Sequence, residues 1–191
     1  MSAFPSQKNI LVINSSYREN HSKSKKIVEQ VIEHYETKHK VNLTQRDLAN
    51  EPRLSYLNED WINANFSPEK TENEKKLLEF SDELIDELKQ ANIVIFGCPM
   101  YNFSISSQLK CYIDLICRSG LTFNYTEQGP CGLLKDKEAV ICTTSNGVPS
   151  ESEFDFVTKY MKQIVNFIGI EKCHLITGNK IMFGEEEVMK N

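Results

Sequence analysis

Apolar residues follow two different patterns that alternate along the chain. Short continuous apolar runs are separated by longer segments in which apolar residues recur every three or four positions. The runs predict buried strands, and the periodic segments predict helices that pack on a sheet. The predicted strands are residues 9–14 (NILVIN), 40–48 (KVNLTQRDL), 92–98 (NIVIFGC), 138–144 (EAVICTT) and 172–178 (KCHLITG). The second of these alternates apolar and polar residues, so we expect it to be half-buried.

Helices are predicted between these strands. The first spans residues 22–38, and another spans residues 105–118. Thr71 and Glu74 have the spacing of a capping box and open a helix that runs to about Gln90. Its predicted inward face is Leu77, Leu78, Ser81, Leu84, Ile85 and Leu88.

A second capping box is predicted at Ser150 and Glu153. It opens a helix that Gly169 ends. The inward face is predicted to be Phe154, Val157, Tyr160, Met161, Ile164, Val165 and Ile168. The segment LTFNY, between the third helix and the fourth strand, is predicted to be a short extended piece.

Five strands that alternate with helices predict a doubly wound α/β fold of the flavodoxin-like kind, with strand order 2-1-3-4-5 and helices on both faces. We expect one domain over residues 1–191, with a polar excursion at about 49–72 whose role the sequence does not assign. Ligands of such sheets bind at the carboxyl ends of the strands, near the switch point between strands 1 and 3. The loops after Asn14, Cys98 and Thr144 should therefore form the site.

Composition narrows the class of partner. The chain is 40% apolar and 26% charged, with a formal net charge of −5. This acidic balance, without a basic run, argues against a nucleic-acid groove or an anionic membrane as a partner. No apolar stretch has transmembrane length, and the N-terminus lacks the order of a signal peptide, so a cytoplasmic protein is expected.

The cysteines and histidines do not predict a disulfide framework or a metal site. No pair among the six cysteines has CxxC spacing, so free thiols are expected. The four histidines form neither HxxxH nor HExxH, and no metal is predicted. No G-x-S-x-G motif indicates a hydrolase.

The first loop, SSYRENHSKSKK, has the chemistry of a phosphate site. Ser22 and Ser24 offer hydroxyls, Lys23 offers charge, and the first turn of the following helix has unpaired N–H groups. The alternative is that Ser22 is an ordinary N-cap in a solvated loop. Because the loop has no glycine, it is neither a P-loop nor a dinucleotide fingerprint.

The other two loops offer flat or neutral groups. Met100, Tyr101, Asn102 and Phe103 follow the third strand, where aromatic contacts and amides suit a planar polar ring. Thr144, Ser145, Asn146 and Gly147 follow the fourth strand, and Gly147 permits close approach or a positive φ. The alternatives are core aromatics and a plain turn. Taken together, the loops indicate flavin mononucleotide (FMN), a cofactor that carries its own redox chemistry.

The motif pair PMYNF and GLTFNYTEQGP also carries a resemblance to a known family. The stretch PMYNFSISSQLKCYIDLICRSGLTFNYTEQGPCGLL, with SSYRENHSKS and VNFIGI, resembles the FMN-dependent NADH-azoreductase and quinone-reductase family of flavodoxin-like fold. The resemblance implies that NADH or NADPH supplies two electrons for quinones and azo or nitro aromatics. It implies FMN-phosphate contacts from Ser16, Ser22, Lys23 and Ser24, and ring contacts from Met100, Tyr101, Asn102, Phe103, Thr144, Ser145, Asn146 and Gly147.

The same resemblance implies a homodimer in which aromatic residues matching Tyr125 and Phe167 lie near the flavin. There are departures from the family pattern. Ser106 replaces a usual proline, which predicts a looser helix start, and TSNG replaces a loop that usually carries an arginine. The C-terminal part is shorter than usual, which predicts a reduced last helix.

Two other functions stay open at this point. A flavodoxin-type electron carrier would bind FMN without turning over small molecules, but such carriers are usually more acidic and use a tighter phosphate loop. A protein of this fold that has lost flavin would act through interactions alone. The absence of a second nucleotide fingerprint also predicts that one cleft serves both substrates in turn, by a ping-pong mechanism.

Overall fold

The protein is described by a computed structural model that covers residues 6–19, 21–178, 180–183 and 186–189. The strands are β1 (Gln7–Asn14), β2 (Lys40–Asp47), β3 (Ile93–Pro99), β4 (Phe123–Thr126), β5 (Gly129–Gly132), β6 (Glu138–Thr144), β7 (Lys172–Thr177), β8 (Lys180–Phe183) and β9 (Glu186–Met189). The helices are α1 (Lys23–Glu36), α2 (Glu59–Phe66), α3 (Glu72–Gln90), α4 (Ser107–Ile116) and α5 (Phe156–Phe167).

The main sheet has the order β2-β1-β3-β6-β7-β8-β9. The pairings from β2 to β7 are parallel, which confirms the predicted five parallel strands and their order 2-1-3-4-5. The sheet then continues through the antiparallel strands β8 and β9, which the sequence did not predict. Both strands lie in the part of the chain for which a reduced last helix was predicted. The extended piece LTFNY supplies β4, which pairs with β5 in a separate hairpin.

Helices cover both faces of the sheet. On one face α1 packs through Ile27, Val28 and Val31 on alternate residues of β1, β3 and β6. On the other face α2, α3, α4 and α5 pack on the intervening residues of the same strands. Because both faces of these strands are buried, their sequences are continuous apolar runs.

The second strand is more exposed than predicted. The side chains of residues 42–45 are all exposed, and Leu43 is 36% exposed. The prediction of a half-buried strand was therefore wrong for most of β2. The strand lies at the edge of the sheet and is paired on one side only, by β1.

The two predicted capping boxes had different outcomes. Thr71 and Glu74 cap α3 reciprocally, as predicted. Leu77 in that helix was wrongly placed inward, since it is 42% exposed. The box at Ser150 and Glu153 does not form.

Instead, α5 begins after Asp155, whose buried carboxylate accepts hydrogen bonds from the N–H groups of Glu151 (2.8 Å) and Thr158 (2.9 Å). Phe154 then lies before the helix and is 55% exposed, contrary to its predicted inward position. Because Asp155 and not Ser150 is the N-cap, the helix begins closer to the C-terminus than predicted.

The excursion contains α2, which is fixed to the rest of the chain by a buried arginine. The Arg118 side chain is 4% exposed and lies 5.8 Å from the ring centre of Trp61. Its guanidinium donates to Asn65 Oδ1 (2.8 Å) and Ser81 Oγ (3.0 Å) and pairs with Asp82. The excursion is thus packed structure that joins α2, α3 and the end of α4.

No helix among the described residues combines the length and the apolar character needed to span a bilayer.

Candidate functional site

Three loops meet at the carboxyl edge of the parallel strands. The loop after β1 is fixed to β3 because Ser15 donates to the Gly97 carbonyl from both its N–H (3.1 Å) and its hydroxyl (2.8 Å). The loop after β3 is fixed to β6 because the Met100 N–H donates to the Thr144 carbonyl (2.8 Å). The sheet therefore sets the spacing of all three loops.

A glycine allows α1 to pack closely at this switch point. A Cβ at Gly97 would lie 2.7 Å from Asn14 Oδ1 and 3.2 Å from Val28 Cγ2. Both distances are shorter than ordinary contacts, so a larger residue would push α1 away from β3. The first loop enters α1 directly, and its position depends on this contact.

The serines of the first loop are buried, and one of them caps the helix. Ser22 is 5% exposed and accepts a hydrogen bond from the Lys25 N–H (3.2 Å), so it is the N-cap of α1. Ser24 is 1% exposed and its hydroxyl lies 3.0 Å from that of Ser22. Capping and phosphate binding are compatible here, because a hydroxyl that accepts from the backbone can still donate to an anion.

The second loop is a tight turn built from non-glycine residues. Tyr101 and Ser104 exchange backbone hydrogen bonds of 2.8 and 3.0 Å. Between them Asn102 has a φ of 49° and Phe103 a φ of 70°. A bulky residue in this region is strained, and such strain is concentrated at functional sites. Within the described residues, the N–H groups of Asn102 and Phe103 make no hydrogen bond, so both are available to a ligand.

The third loop closes on itself. The Ser145 hydroxyl donates to the Val148 carbonyl, and Gly147 between them has a φ of 98°. The positive φ explains the glycine. A Cβ built on Gly147 would meet nothing within 4 Å, so close approach to the described chain is not its role.

A cavity of about 360 Å³, called here the cofactor cavity, lies between the three loops. It contains all of the predicted FMN-binding residues except Gly147. Its lining is Ser16, Arg18, His21, Ser22, Lys23, Ser24, Pro99, Met100, Tyr101, Asn102, Phe103, Thr144, Ser145, Asn146 and Val148. A neighbouring cavity of about 500 Å³ contains none of the other predicted residues, but it shares with the cofactor cavity Lys23, Met100, Thr144, Ser145 and Val148.

Sequence reasoning missed some of the lining residues. Arg18 is a cation in the first loop, and its charge next to Lys23 signals an anion site. Arg18 and Lys23 both line the cofactor cavity. His21, which was not among the predicted site residues, lines the same cavity.

Ser106 does not loosen the start of α4. It is 1% exposed, and its hydroxyl accepts a hydrogen bond from the Leu109 N–H (3.1 Å). The expected looser helix start is therefore wrong, because the serine is an N-cap.

Tyr17 joins the first loop to the second, a contact that no sequence pattern predicted. Its ring packs on Tyr101 with the centroids 4.8 Å apart and the planes at 60°. Its hydroxyl lies 2.9 Å from Ser107 Oγ and is also hydrogen-bonded to Gln108. Tyr17 thus supports Tyr101 from outside the cofactor cavity.

Tyr125 and Phe167 lie outside the cofactor cavity of their own chain. Both pack on Phe123, with ring centroids at 5.4 and 4.4 Å respectively. Tyr125 is 75% exposed at the hairpin of β4 and β5. The hairpin is seated against the end of α5, where a Cβ at Gly132 would lie 2.1 Å from the Gly169 nitrogen.

The cofactor cavity has no acidic residue among its described lining. Two thiols lie in the strands behind it, and burial raises the pKa of both Cys98 and Cys142 well above the usual thiol range. These cysteines are therefore neutral core residues. Across the described chain no three His, Cys, Asp or Glu side chains lie where they could hold a metal ion.

The arrangement defines a protein of the flavodoxin-like class: a doubly wound sheet with three loops that converge on one cleft at the switch point. The sequence profile of the flavodoxin-like fold family matches residues 8–191. A relative from Hahella chejuensis, named FMN-dependent NADH:quinone oxidoreductase 1, is 40% identical over 183 residues. The match covers 94% of this chain and 89% of the relative.

Solved structures agree with this similarity. An azoreductase from Bacillus anthracis has a TM-score of 0.81 at 30% identity, covering 89% of this chain and 86% of its own. An FMN-dependent NADH-azoreductase from the same species, determined in complex with FMN, has a TM-score of 0.78 at 27% identity. The match covers 89% of this chain and 86% of that one. The chain therefore belongs to the family of FMN-dependent NADH:quinone oxidoreductases and azoreductases, which confirms the resemblance.

Proposed function

We propose that this protein binds FMN in the cofactor cavity and acts as an oxidoreductase. It takes two electrons from NADH or NADPH and passes them to quinones and to azo or nitro aromatics. The observation that carries the proposal is the convergence of three separate loops on one cavity. The names of the relatives and of the solved azoreductases support the same chemistry.

The residues present fit FMN. Ser16 in the loop after β1, and Ser22 and Ser24 at the start of α1, are buried serines, and Lys23 lines the same cavity. Hydroxyl donors and a cation at a helix N-terminus suit a phosphate dianion. The unpaired N–H groups of Asn102 and Phe103 suit the carbonyl and nitrogen acceptors of a flavin ring.

When bound, FMN supplies the two-electron redox chemistry, and the protein supplies binding, orientation and electrostatics. In this assignment the first loop holds the phosphate. Met100, Tyr101, Asn102 and Phe103 line one side of the ring, and Thr144, Ser145, Asn146 and Gly147 belong to the loop on its other edge. No side chain of this chain is assigned a catalytic proton transfer.

The cleft is expected to serve donor and acceptor in turn. Both substrates have to reach the same face of one planar ring, and two flat molecules cannot lie on it together. We therefore propose a ping-pong sequence in which the oxidised nucleotide leaves before the acceptor enters.

We further propose a homodimer, in which the hairpin of a second copy roofs the cofactor cavity. Within one chain Tyr125 is 75% exposed and does not line that cavity. An exposed aromatic residue on a well-anchored hairpin is typical of an interface residue. Tyr125 and Phe167 would then bind the aromatic substrate across the interface. The six free cysteines support a reducing compartment, and we place the protein in the cytoplasm.

One experiment tests the core of the proposal. The purified protein is saturated with FMN, freed of excess, and its absorbance is recorded before the cofactor is released and identified by chromatography. NADH oxidation is then followed with menadione as the acceptor. FMN recovery together with turnover is expected. A colourless protein after FMN saturation would contradict the proposal, and bound FMN without menadione turnover would favour a flavodoxin-type carrier.

A further inference from the structure

The cofactor cavity has more basic residues than one phosphate requires. Arg18, His21 and Lys23 line it, and none of its described lining residues is acidic. Under the proposed function the FMN phosphate is held by Lys23, by the buried serines and by the N–H groups of the first turn of α1. Arg18 is therefore left for a second anionic group.

The backbone of Arg18 is held within the first loop. Its N–H donates to Ser16 Oγ over 3.2 Å, and its carbonyl accepts from the same hydroxyl over 3.4 Å. Within the described residues, the Arg18 guanidinium makes no ion pair and no hydrogen bond, although the residue is exposed and lines the cavity. A guanidinium without a carboxylate partner can pair with an anion that enters the cavity.

Arg18 lies where the first loop meets the second. The preceding residue, Tyr17, donates its N–H to the Tyr101 hydroxyl and packs its ring on that of Tyr101. Tyr101 belongs to the turn that is assigned to the flavin ring. The backbone of Arg18 is thus one residue away from a contact with the ring-binding turn, whereas the serines at the start of α1 lie further along the chain.

The nicotinamide donor brings an anion to this part of the cavity. Its nicotinamide has to lie on the flavin ring to pass a hydride, and a single ribose joins that nicotinamide to a diphosphate. The diphosphate therefore lies near the rim of the cavity, and NADH and NADPH both carry it. A quinone such as menadione has no charge and offers no such group. Arginine suits a diphosphate because its planar fork donates two parallel hydrogen bonds to phosphate oxygens.

We propose that Arg18 is a donor-binding residue, whose guanidinium pairs with the diphosphate of the bound nicotinamide nucleotide. His21 lines the same cavity, and its imidazole N–H can donate to the same group. The inference rests on the proposed function, since it names how the electron donor of that reaction is held. It accounts for the binding of a dinucleotide by a chain that has no glycine-rich dinucleotide fingerprint.

The test compares two hydride donors that differ in their phosphates. NADH has the diphosphate, and N-benzyldihydronicotinamide has the same reactive ring without any phosphate. Each is mixed anaerobically with the FMN-loaded protein, and bleaching of the flavin is followed over a range of donor concentrations. For Arg18→Gln we expect the apparent Kd for NADH to rise about three- to ten-fold, with the limiting bleaching rate unchanged. The bleaching rate with the benzyl compound and the KM for menadione should stay constant.

Two further variants separate a specific ion pair from general attraction. Lys26→Gln removes one positive charge from an exposed residue of α1 that does not line the cofactor cavity, so the Kd for NADH should stay unchanged. Arg18→Lys keeps the charge but loses the planar fork, so it should recover only part of the affinity. FMN affinity, measured by quenching of flavin fluorescence, should stay close to that of the parent chain in all three variants.

A second readout does not depend on turnover. ADP-ribose carries the diphosphate without the nicotinamide, and its binding to the FMN-loaded protein is measured by calorimetry, with adenosine as the ligand that lacks phosphate. Arg18→Gln should weaken the binding of ADP-ribose and leave that of adenosine unchanged, while Lys26→Gln should affect neither. If no donor bleaches the flavin but ADP-ribose binds with this pattern, the proposed function fails and the assignment of Arg18 stands.

Four results would overturn the assignment. The first is an unchanged Kd for NADH in Arg18→Gln, or an equal change with the benzyl compound. The second is an equal effect of Lys26→Gln, which would mean that a general positive field attracts the donor. The third is loss of FMN from Arg18→Gln, which would make Arg18 a ligand of the cofactor phosphate. The fourth is an effect on NADPH with none on NADH, which would place the guanidinium on the 2′-phosphate.

Discussion

The backbone N–H of Tyr17 donates a 3.0 Å hydrogen bond to the hydroxyl of Tyr101, a residue 84 positions later in the chain. The bond joins the loop that would hold a phosphate to the loop that would hold a ring. Because the Tyr101 turn contains two left-handed residues, it needs such support to keep one conformation.

Tyr101→Phe removes the acceptor of this bond and keeps the ring. We expect FMN affinity to fall about two- to ten-fold, the value of one ordinary hydrogen bond. Thermal stability should change little, since the bond is exposed. FMN affinity is measured by quenching of flavin fluorescence. The control is Tyr56→Phe, at a tyrosine that is 84% exposed and outside the cavity, which should bind FMN normally. Unchanged affinity in Tyr101→Phe would contradict a supporting role.

Ser24→Ala separates phosphate binding from helix capping. Ser22 caps α1, so its replacement would also cost about 1 kcal/mol of stability. Ser24 is not the cap, and loss of a hydrogen bond to a charged acceptor is worth about 1.5–3 kcal/mol. We expect FMN to bind at least ten-fold more weakly to Ser24→Ala with little change in melting temperature. A fall in stability with unchanged FMN affinity would mean that the serines have structural roles alone.

The matched control for this prediction is Thr71→Ala. Thr71 is the N-cap of α3 and does not line the cofactor cavity. Its replacement should lower stability by about the amount expected for a lost cap and leave FMN affinity unchanged.

The sequence predicted the parallel sheet because a strand buried on both faces has no polar positions. Residues 93–98 are an example, since every one of them is buried. It also predicted the loops of the site, because strand order alone brings the ends of β1, β3 and β6 together. Local signals were less reliable. Ser150 and Glu153 have capping-box spacing, but the competing cap Asp155 has two backbone donors, and the sequence does not rank the two.

Other features depend on contacts between distant residues, which periodicity does not report. Tyr17 lies in a polar loop, and only the fold places its ring on Tyr101. Arg118 looks like a surface residue at a helix end, yet the excursion covers it. Leu77 satisfies the helical period, yet it is 42% exposed in the fold.

Arg118→Met should destabilise the fold through the excursion. The change removes the guanidinium that donates hydrogen bonds to Asn65, Ser81 and Asp82. Asp82 is 53% exposed, so water can solvate its carboxylate. We expect a loss of about 1–3 kcal/mol in the free energy of unfolding, measured with urea. Arg118→Lys should recover only part of it, because an ammonium cannot reproduce the planar fork.

The comparison residue is Arg53, whose side chain is 48% exposed and lies over the Phe80 ring at 4.1 Å. Arg53→Met should cost less than Arg118→Met, because its partners Glu51 and Glu83 keep Arg46 as a second cation. If Arg53→Met lowered the free energy of unfolding as much as Arg118→Met or more, Arg118 would not be the main contact that holds the excursion to the rest of the chain.

Acid should weaken the same region. Hydrogen bonds from Arg53 lower the pKa of Glu51, and hydrogen bonds from Arg53 and Arg46 lower the pKa of Glu83. A carboxyl whose pKa is lower in the folded chain stabilises the fold above its unfolded pKa, and that contribution is lost as the pH falls through the folded pKa. The free energy of unfolding should therefore decline below about pH 4.5.

The measurement is urea unfolding between about pH 6 and pH 3.5, a range that spans the ordinary carboxyl pKa. Glu51→Gln should flatten the decline, because one of the shifted groups is gone. Glu36→Gln, at an exposed carboxylate at the end of α1, should decline as the parent chain does. If the free energy of unfolding fell equally with pH in Glu51→Gln and in the parent chain, Glu51 would not contribute to the decline.

The shared cleft predicts the form of the steady-state kinetics. Among the described residues three loops converge on one cofactor cavity, and the chain has no dinucleotide fingerprint that would hold the nicotinamide substrate elsewhere. Nicotinamide must lie against the flavin ring to pass a hydride, and a quinone must lie on the same face to receive the electrons.

Initial rates with NADH varied at several fixed menadione concentrations should give parallel double-reciprocal lines. Each substrate should inhibit competitively against the other at high concentration, and anaerobic NADH alone should bleach the flavin until menadione restores its colour. Intersecting lines would mean that donor and acceptor are bound together, and the chain would then need a second ring-binding face that the cofactor cavity does not supply.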